Sequence, residues 1–336
     1  YTNRAIFSIL TSLYPVAGRN NYLQNPPGRY EGPSLMSSLA GAGYATSVYS
    51  GDPLSFENDE YLYRELGIQR FVYGSQRVKG HNDSEPWQET AKKDYAALKL
   101  LKHDIAAFAA ANQRYAALYV PLISHGPWPD ISAEENVSEV NKRGRNLLRL
   151  QDGWLGEIAE HLTALGTLNR TLIVFAADHG LRTKKDDPAF SGSRLEKKSF
   201  HVPLLIFAPG IGADQASIPY LSSHIDIAPT LLDLLGQPRQ REFEQGLPLW
   251  DKRIAERTTF FLGRHYFGID GYHRSGSFAM WNIALRMAEE SAAFEFGGRG
   301  AALPPAPRYA EISGAIQDIV AVQQLVLARF ASRRSL

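Results

Sequence analysis

Five places along the chain hold side chains that could do chemistry. Asp178-His179-Gly180 follows directly on the apolar run Thr171–Ala177. A carboxylate and an imidazole side by side at a strand end are a natural pair for a divalent cation, although Asp and Gly also make an ordinary turn. Ser124-His125-Gly126-Pro127-Trp128 follows a second run, Tyr115–Ile123, and holds either a working imidazole or a loop with an aromatic anchor. His201 stands just before a third run, Val202–Ala208, and His224 stands two residues before Asp226. A lone imidazole in such places is more often a structural group than a ligand, and Asp226 can serve only to cap the helix that follows. Thr2 precedes a segment of helical pattern, Asn3–Leu13. Its hydroxyl can cap that helix, or be presented at the helix N-terminus, where orphan N–H groups and the dipole favour an anion. A threonine hydroxyl becomes a nucleophile only when a base or a metal activates it.

The elements that must position these groups follow from pattern. Leu35–Ala40 reads as a helix stopped by Gly41, Tyr44–Tyr49 as a strand, Glu57–Leu66 as a short helix and Phe71–Tyr73 as a strand. Glu89–Asn112, rich in Ala, Leu and Lys, predicts a helix. Asn136–Leu165 carries apolar residues at helical spacing and ends at Gly166, a natural cap. Ile225–Leu235 ends in the same way at Gly236. Asn20–Pro33 is a loop by composition. Continuous apolar strands alternating with helices predict an α/β fold: a mostly parallel central sheet with helices on both faces, ligands binding beyond the carboxyl ends of its strands. After about Trp250 the character shifts. Thr258–Leu262 and Phe278–Met287 read as antiparallel strands, Gly297–Pro307 as a loop and Ile312–Phe330 as a terminal helix. The expected division is one domain over residues 1–250 and a small C-terminal α+β subdomain over 251–336.

Composition excludes several classes. With 44% hydrophobic residues in 336 there is material for a sizeable core, so a disordered chain is excluded. Lys and Arg total 36 against 35 for Asp and Glu, a net charge of +1 that gives no support to a nucleic-acid partner. Cysteine is absent, which removes disulfides, thiolate metal sites and a cysteine nucleophile. No run of about 18 apolar residues crosses a bilayer, and no signal-peptide pattern is present. The first residue is Tyr1, not Met, and the chain runs at once into the mostly apolar Ala5–Leu13, which reads as the middle of something longer.

Taken in order, these pieces resemble the sulfatase-like branch of the alkaline phosphatase superfamily. Thr2-Asn3-Arg4 through Thr11-Ser12-Leu13-Tyr14-Pro15 looks like the nucleophile helix with its T-x-L/R-Y-P ending. Ser124 to Trp128 looks like the substrate-side H-x-P-[WY] loop. Leu150-Gln151-Asp152 through Leu172 to Gly180 looks like the family's helix, strand and metal motif. His201-Val202-Pro203-Leu204-Leu205 through Pro209-Gly210 looks like the next strand, and Ser223 to Leu232 is similar to the D-[IL]-x-P-T-[LI]-L helix. The match covers roughly residues 1 to 250, and it is the ordered set that is specific.

The resemblance implies an alkaline phosphatase-like catalytic domain and a set of roles. Thr2 is the nucleophile and a metal ligand, Asp178 and His179 hold the metal, and His125 binds the phosphoryl group or acts as general acid. His201, Trp128 and Asn3 are the substrate-side residues. True sulfatases resemble one another in C/S-x-P-S-R, whose first residue becomes a formylglycine; the equivalent position here is Thr2, which cannot be so converted. A direct Thr nucleophile looks like the phospho-transferring members, the lipoteichoic-acid-synthase-like phosphoglycerol transferases and the lipid A phosphoethanolamine transferases. Gly51 to Asn58, then Gly67-Ile68 and Phe71, look like the first group's G-x-x-x-S-F-W-N-R…G-[FY]-x-x-F stretch. There the family's His, Trp and Arg are Ser50, Glu57 and Asp59. With Asp52 these carboxylates either favour a bulkier or more basic headgroup or are solvated loop groups.

The implied cofactor is a divalent metal (Mn, Zn or Mg, or Ca for a sulfatase). The implied partners are a phospholipid or phosphoester headgroup and a glycan or alcohol acceptor. The family's first strand, with one more acidic ligand, would precede Tyr1. The expectation is therefore a fragment with weak metal binding and little activity of its own, from an extracytoplasmic protein of the periplasm or cell envelope, anchored through an absent N-terminal segment. Two rival readings stand beside it: a sulfuric ester hydrolase, and a catalytically dead sulfatase-like binding domain.

Overall fold

The computed structural model describes residues 2–15, 30, 32–54, 59–78, 86–125, 140–180, 201–211, 217–218, 220–239, 241, 244–262, 266–271, 278–282 and 287–290. Most of the expected Asn20–Pro33 loop, Glu57, Trp128, the Gly297–Pro307 loop and the Ile312–Phe330 helix lie outside the described residues. The fold is α/β, as the alternation of strands and helices predicts. Two compact units divide the chain.

One unit, residues 39–173 with 206–214, is built on a parallel sheet. Strand β1 (Ala45–Ser50) lies between β2 (Arg70–Tyr73) and β3 (Tyr115–Val120), both parallel to it. Helix α2 (Leu35–Gly41) precedes β1, the connections contain α3 (Asp59–Glu65) and α4 (Pro86–Ala110), and α5 (Val140–Ala164) follows β3. The core forms where α4 and α5 lay their apolar faces on the sheet. Tyr49, Val72, Ala97, Leu101, Ile105 and Leu162 make one cluster, and Leu98, Ile123, Leu147 and Trp154 another. The Tyr49 phenol enters that core because its hydroxyl donates to Asp104 on α4 at 2.7 Å, and Arg70 pairs with the same carboxylate at 2.6 Å. Helix α5 ends as its sequence predicts. Gly166 takes φ +66°, and Thr167 N bonds back to Leu162 O, a closure only a residue at ease with positive φ permits.

The other unit joins residues 1–38, 174–205 and 215–336. Helix α1 (Thr2–Thr11) is buried from Asn3 to Thr11 and packs against α6 (Ile227–Leu234) and the 3-10 turn His224–Asp226 before it. Its end departs from glycine capping. Ser12 itself takes φ 60°, and its Oγ accepts from Gly246 N at 3.0 Å while its carbonyl accepts from Gln245 N. Those bonds offset the strain of a left-handed non-glycine. Helix α6 stops at Gly236, φ +62°. Strand β4 (Ile173–Ala176) pairs with β5 (Leu204–Phe207). Among the described residues these two strands form a sheet separate from β1, β2 and β3, where the sequence pattern alone suggested one continuous sheet.

The C-terminal strands are an antiparallel meander: β6 (Thr258–Leu262), β7 (Tyr266–Gly271), β8 (Phe278–Asn282) and β9 (Met287–Glu290). The single strand expected over Phe278–Met287 is two, because the chain reverses between Asn282 and Met287 so that these two residues pair across the ladder. The residues between them, Ile283 to Arg286, include no glycine or proline to signal a reversal in the sequence. No helix among the described residues is long and apolar enough to cross a membrane.

Candidate active site

Thr2 and Asp178 are 176 residues apart in sequence and in contact in space. The Thr2 hydroxyl donates to Asp178 Oδ2 at 2.6 Å. Thr2 is the first residue of α1. Its hydroxyl is therefore engaged by a carboxylate at the helix N-terminus, where unpaired amides favour negative charge. Asp178 sits two residues past the end of β4 and is one-third exposed. Its other oxygen, Oδ1, accepts from His179 N at 2.8 Å, which fixes the carboxylate plane.

His179 completes the group. Its Nδ1 lies 3.0 Å from Gly180 O. A carbonyl only accepts, so Nδ1 carries a hydrogen, and in the neutral ring Nε2 then holds the lone pair. That nitrogen stands 3.4 Å from Asp178 Oδ2. Two lone-pair atoms facing each other at this distance repel unless a proton or a cation lies between them. An imidazole nitrogen, a carboxylate oxygen and a hydroxyl thus converge as an O/N donor set that fits a divalent cation in kind. The backbone bond on the far ring nitrogen is the usual way such an imidazole is oriented. Among the described residues no group of three His, Asp, Glu or Cys side chains converges, so the set relies on the Thr2 hydroxyl.

The strand end is anchored from behind. His224 Nε2 is 2.9 Å from Ala177 O, and since the carbonyl accepts, Nε2 is the protonated nitrogen. Burial holds the His224 pKa below the usual imidazole value. Asp178 and the Ala177 bond oppose this and His179 adds to it. His224 is thus a neutral structural imidazole, the bland alternative that its sequence position left open. Asp226 goes further than a cap. It is fully buried, accepts from Ser223 N and Leu247 N at 2.8 Å each, and receives both Nη atoms of Arg257. These contacts tie the 3-10 turn, the segment near Leu247 and the start of β6 together.

The remaining sequence-predicted residues fall as follows. Asn3 is 3% exposed, in the first turn of α1. His201 is exposed, three residues before β5. His125 is exposed and follows β3 in a turn closed by its own N–H on Leu122 O at 3.0 Å. Gln151 on α5 donates to Ser124 Oγ at 3.0 Å and braces the same turn. Trp128 lies outside the described residues. Asp52 is not a plain solvated carboxylate, since Lys93 pairs with it at 3.1 Å and offsets its charge, and Asp59 is buried. Arg77, Lys92, Lys99 and His103 line a cavity of about 580 Å³ along α4, to which none of the predicted site residues contributes.

Residues 1–237 match the family described as Sulfatase. Arylsulfatase K of Danio rerio is 42% identical over 89 residues, covering 26% of this chain and 16% of that protein. The lipoteichoic acid synthase-like YvgJ of Bacillus subtilis is 23% identical over 291 residues, 79% of this chain and 43% of its own length. The chain thus spans less than half the length of these relatives. Among solved structures, a protein of the alkaline phosphatase superfamily from Vibrio parahaemolyticus superposes with a TM-score of 0.74 at 17% identity, over 99% of this chain and 77% of that one. That likeness establishes the alkaline phosphatase-like fold.

Proposed function

The chain belongs to the sulfatase family, whose superfamily consists of hydrolases and transferases that generally use divalent metals, and on that premise we propose that it cleaves phosphodiesters through Thr2. The observation that carries this reading is the Thr2 hydroxyl held by Asp178 at 2.6 Å at the head of α1. The group moved is of the phosphoglycerol or phosphoethanolamine kind, taken from a phospholipid or other phosphoester and passed to a glycan or alcohol acceptor, or to water. The match to YvgJ over most of the chain supports this branch. So do Thr at the nucleophile position and the absence of cysteine.

Thr2 Oγ attacks phosphorus as its proton passes along the hydrogen bond to Asp178, the bond to the donor alcohol breaks, and the alcohol leaves with a proton, for which His125 is the candidate acid. The acceptor hydroxyl then gives its proton to the His125 so emptied and displaces Thr2 from the phospho-Thr2 adduct, and Thr2 Oγ recovers its proton from Asp178. Asp178 orients the Thr2 hydroxyl and takes its hydrogen bond, and the α1 amides favour the anionic adduct. Asp178, His179 and Thr2 would hold a divalent metal (Mn, Zn or Mg), which lowers the hydroxyl pKa and offsets phosphoryl charge. Such donors and acceptors are components of cell envelopes, so we place the protein outside the cytoplasm, anchored at the membrane.

A second reading, sulfate-ester hydrolysis, is favoured by the 42% identity to Arylsulfatase K over its short span. The full-length protein, including any segment that precedes Tyr1, separates the two when offered bis-(p-nitrophenyl) phosphate and p-nitrophenyl sulfate. The phosphodiester should turn over at least about tenfold faster, and a chelator should abolish turnover until Mn is restored. Preference for the sulfate ester assigns a sulfatase. No turnover of either, with metal supplied, assigns a binding domain.

A further inference from the structure

Asp94 lies in the middle of α4, where an acidic residue usually faces water, yet it is 0% exposed. Its Oδ2 accepts from two successive backbone amides, Leu122 N and Ile123 N, at 2.8 Å each. Those residues lead directly into Ser124 and His125. Its Oδ1 lies against the chain just past β1: a Cβ on Gly51 would come within 2.2 Å of it, so only glycine fits there. Tyr119 on β3 donates to the Asp94 carbonyl at 2.9 Å, and the adjacent Lys93 pairs with Asp52 and Glu89 at 3.1 Å. Strands β1 and β3 are parallel neighbours, so their carboxyl ends emerge at the same sheet edge, and residues 93 and 94 of α4 grip both exits.

We infer that Asp94 is a positioning residue that sets the turn carrying His125 through its hold on the Leu122 and Ile123 amides. The inference rests on the role proposed above for His125. An apolar residue would pack at this helix position at lower cost, but it would leave two buried N–H groups unpaired. The carboxylate instead satisfies both and fixes the backbone direction two residues before the imidazole.

The same burial makes the hold sensitive to pH. It pushes the Asp94 carboxyl up to about 7, with the Leu122, Ile123 and Gly51 amides pulling it down and Asp52 pushing it up. Among the described residues Lys93, Glu89 and the Tyr119 phenol also stand around it, and Glu157 stands beyond Tyr119. Two consequences have opposite signs. Ionisation strengthens the two amide bonds, so the turn becomes better ordered as pH rises through about 7. The folded state holds a proton that the unfolded chain releases near the ordinary carboxylate pKa. This group's contribution to stability is therefore full in acid and falls as pH rises toward about 7.

The test compares Asp94→Ala, Asp94→Asn and His125→Ala by amide hydrogen exchange, thermal unfolding and turnover of bis-(p-nitrophenyl) phosphate from pH 5.5 to 8.5. Asp94→Ala should speed exchange at Leu122 and Ile123 and lower turnover, each by about tenfold. Asp94→Asn keeps an acceptor, so it should preserve slow exchange and most of the turnover while flattening both the turnover and the stability profiles near neutrality. Unchanged exchange in Asp94→Ala, or an unaltered pH profile in Asp94→Asn, overturns the inference. Should the alanine variant fail to fold, the asparagine profile alone decides. Full turnover in His125→Ala removes the imidazole from the chemistry, while the exchange data still judge whether Asp94 holds the turn.

Discussion

Replacing Thr2 with alanine should lower phosphodiester turnover by about four orders of magnitude, the usual scale for losing a nucleophile. The protein should remain folded, because the change deletes one partly exposed hydrogen bond at a helix start, a loss of about 1 kcal/mol or less, and alanine is a good helix former. Thr2→Ser should keep activity within about tenfold, because the hydroxyl survives and only the methyl that stiffens χ1 is lost. Steady-state rates against the same chromogenic phosphodiester check both variants. The pair matters more than either alone. A structural cap would tolerate serine and alanine nearly alike in turnover, whereas a nucleophile separates them sharply.

The second large effect concerns stability. Asp226→Ala should destabilise the protein by about 3 kcal/mol, since it strands a guanidinium that is largely withdrawn from solvent, its side chain 16% exposed. For a chain of this size that is a melting point lower by about 5 °C. The cause is on view: Asp226 is 0% exposed and satisfies both Arg257 Nη atoms together with the Ser223 and Leu247 amides. Close by, burial pushes the Tyr14 phenol up to about 12, with Arg257 opposing. Tyr14 therefore stays neutral and offers Arg257 no substitute charge. The control is Asp251→Ala. Asp251 pairs with Arg253, whose side chain is 73% exposed, an ion pair that adds little, and it also caps the next 3-10 turn by accepting from Arg253 N at 2.9 Å. Its melting point should fall by no more than about 2 °C, the scale of one lost cap. Calorimetry on the two variants decides; equal melting points would remove Asp226 from its place at the centre of this unit.

Much of this was legible before any coordinates. Gly166 and Gly236 mark helix ends in the sequence, and both sit at positive φ where the chain turns. The apolar runs became β3, β4 and β5 within a few residues of their expected bounds. Asp178 and His179 could be placed at a strand end, and Thr2 at a helix start, from pattern alone. What pattern could not supply was the contact between groups 176 residues apart. Asp94 was hidden because helical spacing gives no sign that a mid-helix carboxylate faces backbone amides from another strand. Ser12 was hidden because its left-handed backbone is made tolerable by residues 245 and 246, far along the chain. The turn between β8 and β9 left no glycine or proline signal at Asn282 or Met287.

The most direct test of the Thr2 mechanism is to trap its adduct. The protein is incubated briefly with a phosphodiester donor in the absence of acceptor, quenched in acid, digested and analysed by tandem mass spectrometry. The expected result is a phosphoryl adduct, bearing the donor's remaining ester group, on the peptide containing Thr2 and localised to that residue, absent from Thr2→Ala. Steady turnover with the Thr2 peptide unmodified, or an adduct on another side chain, would contradict it.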